Sequence, residues 1–136
     1  MLLVAYATQR SFAWAQIVTF RSLPLATVLA VAGISLAAWG RSAFAAAGTE
    51  IIPTSPSNKT LVTGGPFRFT RNPMYSGLVL ASLGVALYPG TLPFFAVPIV
   101  VFLLCNLVFI PFEEAKMQRQ FNDQYTDYLH RVRRWI

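Results

Sequence analysis

Gly64-Gly65-Pro66-Phe67-Arg68-Phe69-Thr70-Arg71-Asn72-Pro73-Met74-Tyr75-Ser76-Gly77 joins a polar loop to the start of an apolar run. Two arginines, two prolines, three glycines and a tyrosine fall inside it. A cation beside hydrocarbon is costly unless it snorkels or meets an anion. Arg68 and Arg71 are therefore either topology anchors or a docking point for a ligand carboxylate or phosphate.

The chain around that stretch has membrane composition. Its 136 residues are 55% hydrophobic and 12% charged, with the apolar residues in long blocks, so a single polytopic membrane domain is expected over 1–136. The formal net charge of +6 does not point to nucleic acid, because the basic residues flank apolar segments and form no free basic helical face. Anionic lipid headgroups account for it better. Cys105 is the single cysteine and lies within an apolar run, so no disulfide forms within the chain and a packed thiol is expected.

Working outward toward the N-terminus, residues 49–63 hold Pro53, Ser55, Pro56, Ser57, Asn58 and Lys59 and read as a loop, with Leu61 and Val62 able to press back onto the membrane surface. Before it, Leu23 to Gly40 is an uninterrupted apolar run with Pro24 in its first turn, a transmembrane helix that emerges through Arg41 and stops at Gly48. Residues 1–20 lack the layout of a signal peptide and read as a first membrane helix. Arg10 in mid-span leaves an interfacial helix open as the alternative.

Toward the C-terminus a third helix runs from Pro73 to Tyr88. Its Ser76, Gly77, Ser82 and Gly84 admit the close approach of another helix or of a ligand. A tight turn through Pro93 leads to a fourth helix from Phe94 to Phe112, interrupted by Pro98 and ending near Pro111. Asn106, its one strongly polar side chain, is expected to bond to a neighbouring helix more readily than to a ligand. The tail from Glu113 to Ile136 is amphipathic: Phe121, Tyr125, Tyr128 and Val132 recur at helical spacing, with Met117 and Trp135 extending the stripe. The fold class expected is all-α, with about four transmembrane helices and a C-terminal amphipathic helix on the membrane surface. Lys59, Arg68, Arg71, Lys116, Arg119, Arg131, Arg133 and Arg134 fall on one face by this topology, which should be cytoplasmic, while Arg21 marks the other side.

Glu113 and Glu114 stand side by side at an apolar boundary. Two such carboxylates repel each other and resist desolvation, so at least one should titrate above its usual range unless a cation is near. Arg68 and Arg71 should emerge at that same face, giving either a structural salt bridge or a ligand site.

These blocks carry a resemblance. Gly-Pro-Phe-Arg-x-Thr-Arg-Asn-Pro-x-Tyr-x-Gly (65–77), a membrane helix ending in Glu113-Glu114, and Phe-x-x-x-Tyr-x-x-Tyr-x-x-x-Val-x-Arg-Trp (121–135) together resemble the membrane methyltransferases that include isoprenylcysteine carboxyl methyltransferases and phospholipid N-methyltransferases. The resemblance covers about the last 75 residues in order and spacing. It implies S-adenosylmethionine as methyl donor, held in a core spanning 64–136 and flanked by N-terminal membrane helices in 1–48. By position, Arg71 with Arg68 would hold a carboxylate and Glu113 and Glu114 would meet the ammonium, ribose or sulfonium. Gly65, Pro66, Asn72, Pro73, Tyr75, Tyr125 and Tyr128 would complete the cofactor pocket, and Arg71, Glu113 and Glu114 would be the catalytic set. Asn72 stands where the carboxyl methyltransferases usually have histidine, and Asn122 where glycine is common.

The acceptor implied is a lipid or lipid-linked group, either a carboxylate like that of isoprenylcysteine or an amine like that of a phospholipid. It would reach the donor through a lateral opening near the third and fourth helices, and homo-oligomerisation is open. An amine must lose a proton, which Glu113 or Glu114 could assist. No Gly-x-Gly-x-x-Gly turn follows a strand, and one histidine, His130, excludes a multi-histidine metal site. Two other readings remain: a noncatalytic membrane protein with a structural Arg/Glu cluster and a lipid-binding basic tail, and, ranked last, a nicotinamide-dependent membrane reductase.

Overall fold

The computed structural model describes residues 20–49 and 59–136. The helix expected over residues 1–20 and most of the loop after Thr49 lie outside the described residues. Within them all regular structure is helical, with no β-strand.

Helix α1 spans Leu23–Ala46, with Pro24 in the first turn where its missing N–H leaves no bond unmade. It ends where Gly48 takes φ +61, a left-handed turn that glycine enters without steric cost. Its 24 residues reach about 36 Å, ample for a hydrocarbon core of ~30 Å. Helix α2, Pro73–Leu87, runs antiparallel to it. Gly40 lies against Pro73 and Met74, Gly33 against Gly77 and Ala81, and Gly84 against Ala26 and Ala30. A Cβ built on Gly33 would stand 2.5 Å from the backbone of Ala81, so the two helices touch backbone to backbone.

The chain then turns at Pro89 and Gly90, where the Phe20 N–H donates to the Gly90 carbonyl at 2.7 Å. A 3₁₀ turn at Leu92–Phe95 opens one long helical run: α3 (Ala96–Leu104), a π-bulge (Cys105–Phe109) and α4 (Ile110–Arg131). Pro98 falls in the first turn of α3 and interrupts nothing. The end expected near Pro111 is not observed. In the bulge the Ile110 N–H reaches back to Cys105 O, and the extra residue makes room for the Pro111 ring, so the helix continues.

Leu23–Ala46 and Leu92–Arg131 are the two described stretches long and apolar enough to cross a membrane, and Pro73–Leu87 is a shorter apolar helix. The apolar part of the second ends at Phe112, after about 31 Å of rise, and everything from Glu113 onward lies beyond it. The protein is membrane-associated.

The tail differs from a single surface helix. At Asn122 the backbone takes φ 43, ψ −116 and the helix changes direction. The Asn122 carbonyl freed by the break accepts from Gln118 Nε2 at 3.2 Å and Thr126 Oγ1 at 3.2 Å. Residues 132–136 are not helical and fold back as an extended strap, so Trp135 leaves the amphipathic stripe. Tyr125 and Tyr128, on the tail's apolar stripe, form a buried cluster with Phe67, flanked by Phe44, Leu61 and Val62, so that part of the stripe packs on protein and not on the membrane surface. The Leu61-Val62 pair thus covers the protein's own tail.

The φ/ψ pair at Asn122 lies in a region where a Cβ is strained and glycine is not. Asn122→Gly should raise the thermal midpoint in detergent by a few degrees, because the side chain itself makes none of the brace bonds. A lower midpoint would show that the asparagine side chain is needed there.

Candidate functional site

The site lies where the 64–72 loop, the start of α2, the end of the apolar span and the tail converge. Asn72 is the N-cap residue of α2 and Pro73 its first residue, so the loop delivers Arg71 just before the helix. Two residues into α2, the Tyr75 hydroxyl donates to Glu113 Oε1 at 2.6 Å. Arg71 Nη1 stands 3.0 Å from Glu114 Oε1, both side chains mostly buried at 13% and 19% exposure. The two carboxylates predicted from sequence therefore have different partners.

The strap closes this arrangement. Arg134 grips Glu114 twice, from Nη2 to Oε2 at 2.5 Å and from Nε to Oε1 at 3.2 Å. Its carbonyl accepts from Thr70 Oγ1 at 3.1 Å and Asn72 Nδ2 at 2.9 Å, and the Arg133 carbonyl accepts the Arg71 N–H at 2.9 Å. Glu114, between two guanidiniums, is the best-compensated charge in the cleft. Arg71 Nε–H is buried and has no hydrogen-bond partner among the described residues, so one donor of that guanidinium remains for a ligand.

Aromatic groups form the opposite wall. Phe44 meets Phe67 edge to face at 5.2 Å, and the Tyr128 hydroxyl donates to the Phe67 carbonyl at 2.7 Å. Burial pushes the Tyr125 phenol up to about 12, with Glu114 adding to the shift and Arg71 opposing it. It stays protonated at neutral pH, a neutral wall with a polar tip. Burial also lifts the Glu113 carboxyl above its usual range, opposed by the Tyr75 hydrogen bond and by Lys116. The cleft holds about 80 Å³ of free space behind a partly open mouth.

Of the residues picked out from sequence, Arg71, Asn72, Pro73, Tyr75, Glu113, Glu114, Tyr125 and Tyr128 line this cleft. Gly65, Pro66 and Arg68 do not. Gly65 backs onto Trp39, Pro66 is fully buried beneath the loop, and Arg68 points to solvent. Among lining residues the sequence reading passed over are Phe44 from α1, Thr60, Met74 and the backbone-anchored Phe67. Arg134, which with Arg131 and Arg133 matches the basic end of the family's tail and was expected to contact donor or lipid headgroup, proves central to the ion cluster. Its position next to Trp135 in the Arg-Trp ending was the available signal.

A sequence model of the phospholipid methyltransferase family matches residues 22–124. The chain belongs to the phospholipid methyltransferase family. Neither a search of curated proteins nor one of solved structures returned a significant match. Membership makes this a membrane methyltransferase for lipid-type substrates. The matched stretch carries the Arg71 loop and Glu113-Glu114, while Tyr125, Tyr128, Arg134 and Trp135 follow it. Within this phospholipid methyltransferase fold, two side chains of the cleft wall, Tyr125 and Tyr128, are thus supplied by the segment after the match.

Proposed function

We propose that the cleft binds S-adenosylmethionine and that the protein transfers its methyl group to a lipid or lipid-linked acceptor arriving from the bilayer. The observation that supports this most is the meeting of Arg71 with the Glu113/Glu114 pair in one cleft at the end of the apolar span. The donor is zwitterionic, cationic at sulfur and flat at the adenine. The residues present fit those features: Arg71 has a buried Nε–H to give to a carboxylate, Glu113 offers negative charge, and Phe67, Tyr125 and Tyr128 offer an aromatic wall.

When bound, S-adenosylmethionine supplies an electrophilic methyl on its sulfonium. Arg71 would hold the carboxylate end, and Glu113 would offer negative charge to the donor's cationic part. Glu114 acts mainly by holding Arg71 and the strap in place. Asn72 supports the loop, since its amide is committed to the Arg134 carbonyl. For an amine acceptor the Glu113 carboxylate takes the proton, a role suited to a carboxyl held above its usual range. A carboxylate acceptor needs no base, and positioning at the membrane boundary then supplies most of the rate. In the topology we infer, 1–136 is one multi-pass domain and the cleft faces the cytoplasm.

The test is a thermal-shift comparison with S-adenosylmethionine, S-adenosylhomocysteine and NADPH, followed by labelled methyl transfer into a total lipid extract. Stabilisation by the first two and not by NADPH is expected. Glu113→Gln separates this reading from a structural cluster. Because the Glu113 pKa is raised on folding, ionisation opposes folding. That group's contribution is fully present below its unfolded value and is lost as pH rises through the folded one. Glutamine keeps an acceptor for Tyr75 and removes the buried charge. The unliganded variant should therefore match or exceed the wild-type midpoint at about pH 7 to 8, and that margin should vanish below about pH 4. Donor stabilisation should fall at the same time. A less stable variant with donor response intact would favour the structural reading.

A further inference from the structure

Two pairs of side chains on the long helical run form a broken stripe from the hydrocarbon to the cleft: Phe102 with Asn106, and Phe109 with Glu113, each four residues apart and joined through the π-bulge. Two aromatic side chains cover this stripe in succession. Trp135 lies over its deeper half, with ring centroids 4.9 Å from Phe102 and its indole N–H donating to Asn106 Oδ1 at 3.0 Å. Tyr75 lies over the nearer half, stacked at 6.2 Å on Phe109 with its hydroxyl on Glu113. The stripe is only partly covered, since Phe102 is 37% and Phe109 48% exposed.

Trp135 does not come from another membrane helix. It comes from the strap, one residue after Arg134, whose grip on Glu114 fixes where the indole can sit. The rise from Phe102 to Glu113 is about 16 Å, roughly one leaflet of a ~30 Å hydrocarbon core. A lipid chain whose reacting headgroup reaches Glu113 therefore has room to lie along the stripe, with the indole at its flank. Indole against amide is also a contact that a membrane-level side chain can make with one edge polar and one face apolar.

We propose that Trp135 is a specificity-determining residue: its indole forms the side wall of the acceptor's path from the bilayer to Glu113 and limits the width of the chain that passes. This rests on the methyltransferase reading above, and the experiment keeps the two apart. The protein is placed in nanodiscs of total lipid extract with labelled S-adenosylmethionine, and labelled products are resolved by chain composition. Trp135→Ala should shift the products toward bulkier chains. It should also raise the half-saturating acceptor fraction about tenfold, ~1.4 kcal/mol of lost contact. Donor Kd should stay within about twofold, because Trp135 lies outside the donor cleft. Trp135→Phe keeps a ring on Phe102 and should restore most of the wild-type product profile.

A second readout needs no turnover. Phospholipids brominated on the chain should quench the fluorescence of Trp135, read as the difference between the wild type and Trp135→Phe. No quenching, an unchanged product profile, or a donor Kd that weakens in step with the acceptor would each overturn the proposal. A wild type that shows no donor-induced stabilisation would sink the functional reading and this proposal with it. Normal donor binding with an unchanged product profile would sink this proposal alone.

Discussion

Arg71→Ala should weaken S-adenosylmethionine binding by roughly ten- to a hundredfold, the loss of one hydrogen-bonded charge contact of about 1.5–3 kcal/mol. The variant should still fold. Glu114 keeps both bonds to Arg134, so the mutation does not strand a carboxylate in a buried site, the usual reason for losing one ion-pair partner to be severe. The loop also keeps its anchorage, because the bond from position 71 to the Arg133 carbonyl runs from the backbone N–H. Arg71→Lys supplies a sharper comparison. An ammonium can pair with Glu114 but lacks the guanidinium's buried, unpartnered Nε–H and its planar fork, so it should restore thermal stability more fully than donor affinity. Isothermal titration with donor, run beside melting curves, reads both quantities. Equal affinity in Arg71→Ala and the wild type would remove Arg71 from the binding site.

How far the chain could be read in advance depended on whether a feature was local. Helix α1, its proline start and its glycine stop are written in consecutive residues, and so is the Asn72-Pro73 opening of α2. The convergence of Arg71 with Glu113-Glu114 was also legible, because two apolar runs separate them, which, read as two passages, return the chain to the same side, and charges avoid hydrocarbon. The division of labour between the two glutamates was not. It depends on Arg134, which arrives only because the helix ends at Arg131 and the strap folds back, a tertiary event that periodicity cannot announce. The same fold-back took Trp135 off the stripe and gave Asn106 a partner from the tail instead of from a neighbouring helix. Pro111 misled for a different reason. A proline normally ends a helix, but the π-bulge just before it supplies the slack, and such bulges leave no compositional mark in Cys105–Phe109.

The tail reading shows how amphipathicity underdetermines its partner. Phe121, Tyr125 and Tyr128 do form an apolar face, and lipid was a reasonable occupant for it. Tyr hydroxyls, however, must find acceptors when buried, and the Phe67 carbonyl in the 65–68 turn provides one for Tyr128. The polar tips thus favour protein over hydrocarbon, and the loop that carries Arg71 is pinned to the tail by aromatic packing as well as by charge.

Gly77→Leu should have the largest effect on the fold of any single change considered. A Cβ at position 77 would collide with the Gly33 carbonyl and come within 2.8 Å of the Ala37 N and 3.0 Å of the Ala37 Cβ. These are mostly backbone atoms of the facing helix, so no rotamer change relieves the clash and α1 and α2 must separate. Overpacking a rigid core costs about 1–3 kcal/mol, and more where backbone is displaced. Here the separation would also break the matching contacts of Gly33 and Gly84 along the same seam. The damage should reach the cleft, because Tyr75 and Arg71 are carried by the first turn of α2 and the loop that leads into it. Gly77→Leu should therefore appear as aggregated or poorly expressed protein by size-exclusion chromatography, with no donor-dependent stabilisation in the residual fraction. Gly77→Ala should lie between it and the wild type. Leu78→Ala, one residue along on the exposed face, should change neither elution nor donor response. If Gly77→Leu eluted as a sharp peak with a wild-type melting point, the close α1–α2 seam, and the placement of the cleft that hangs from it, would be wrong.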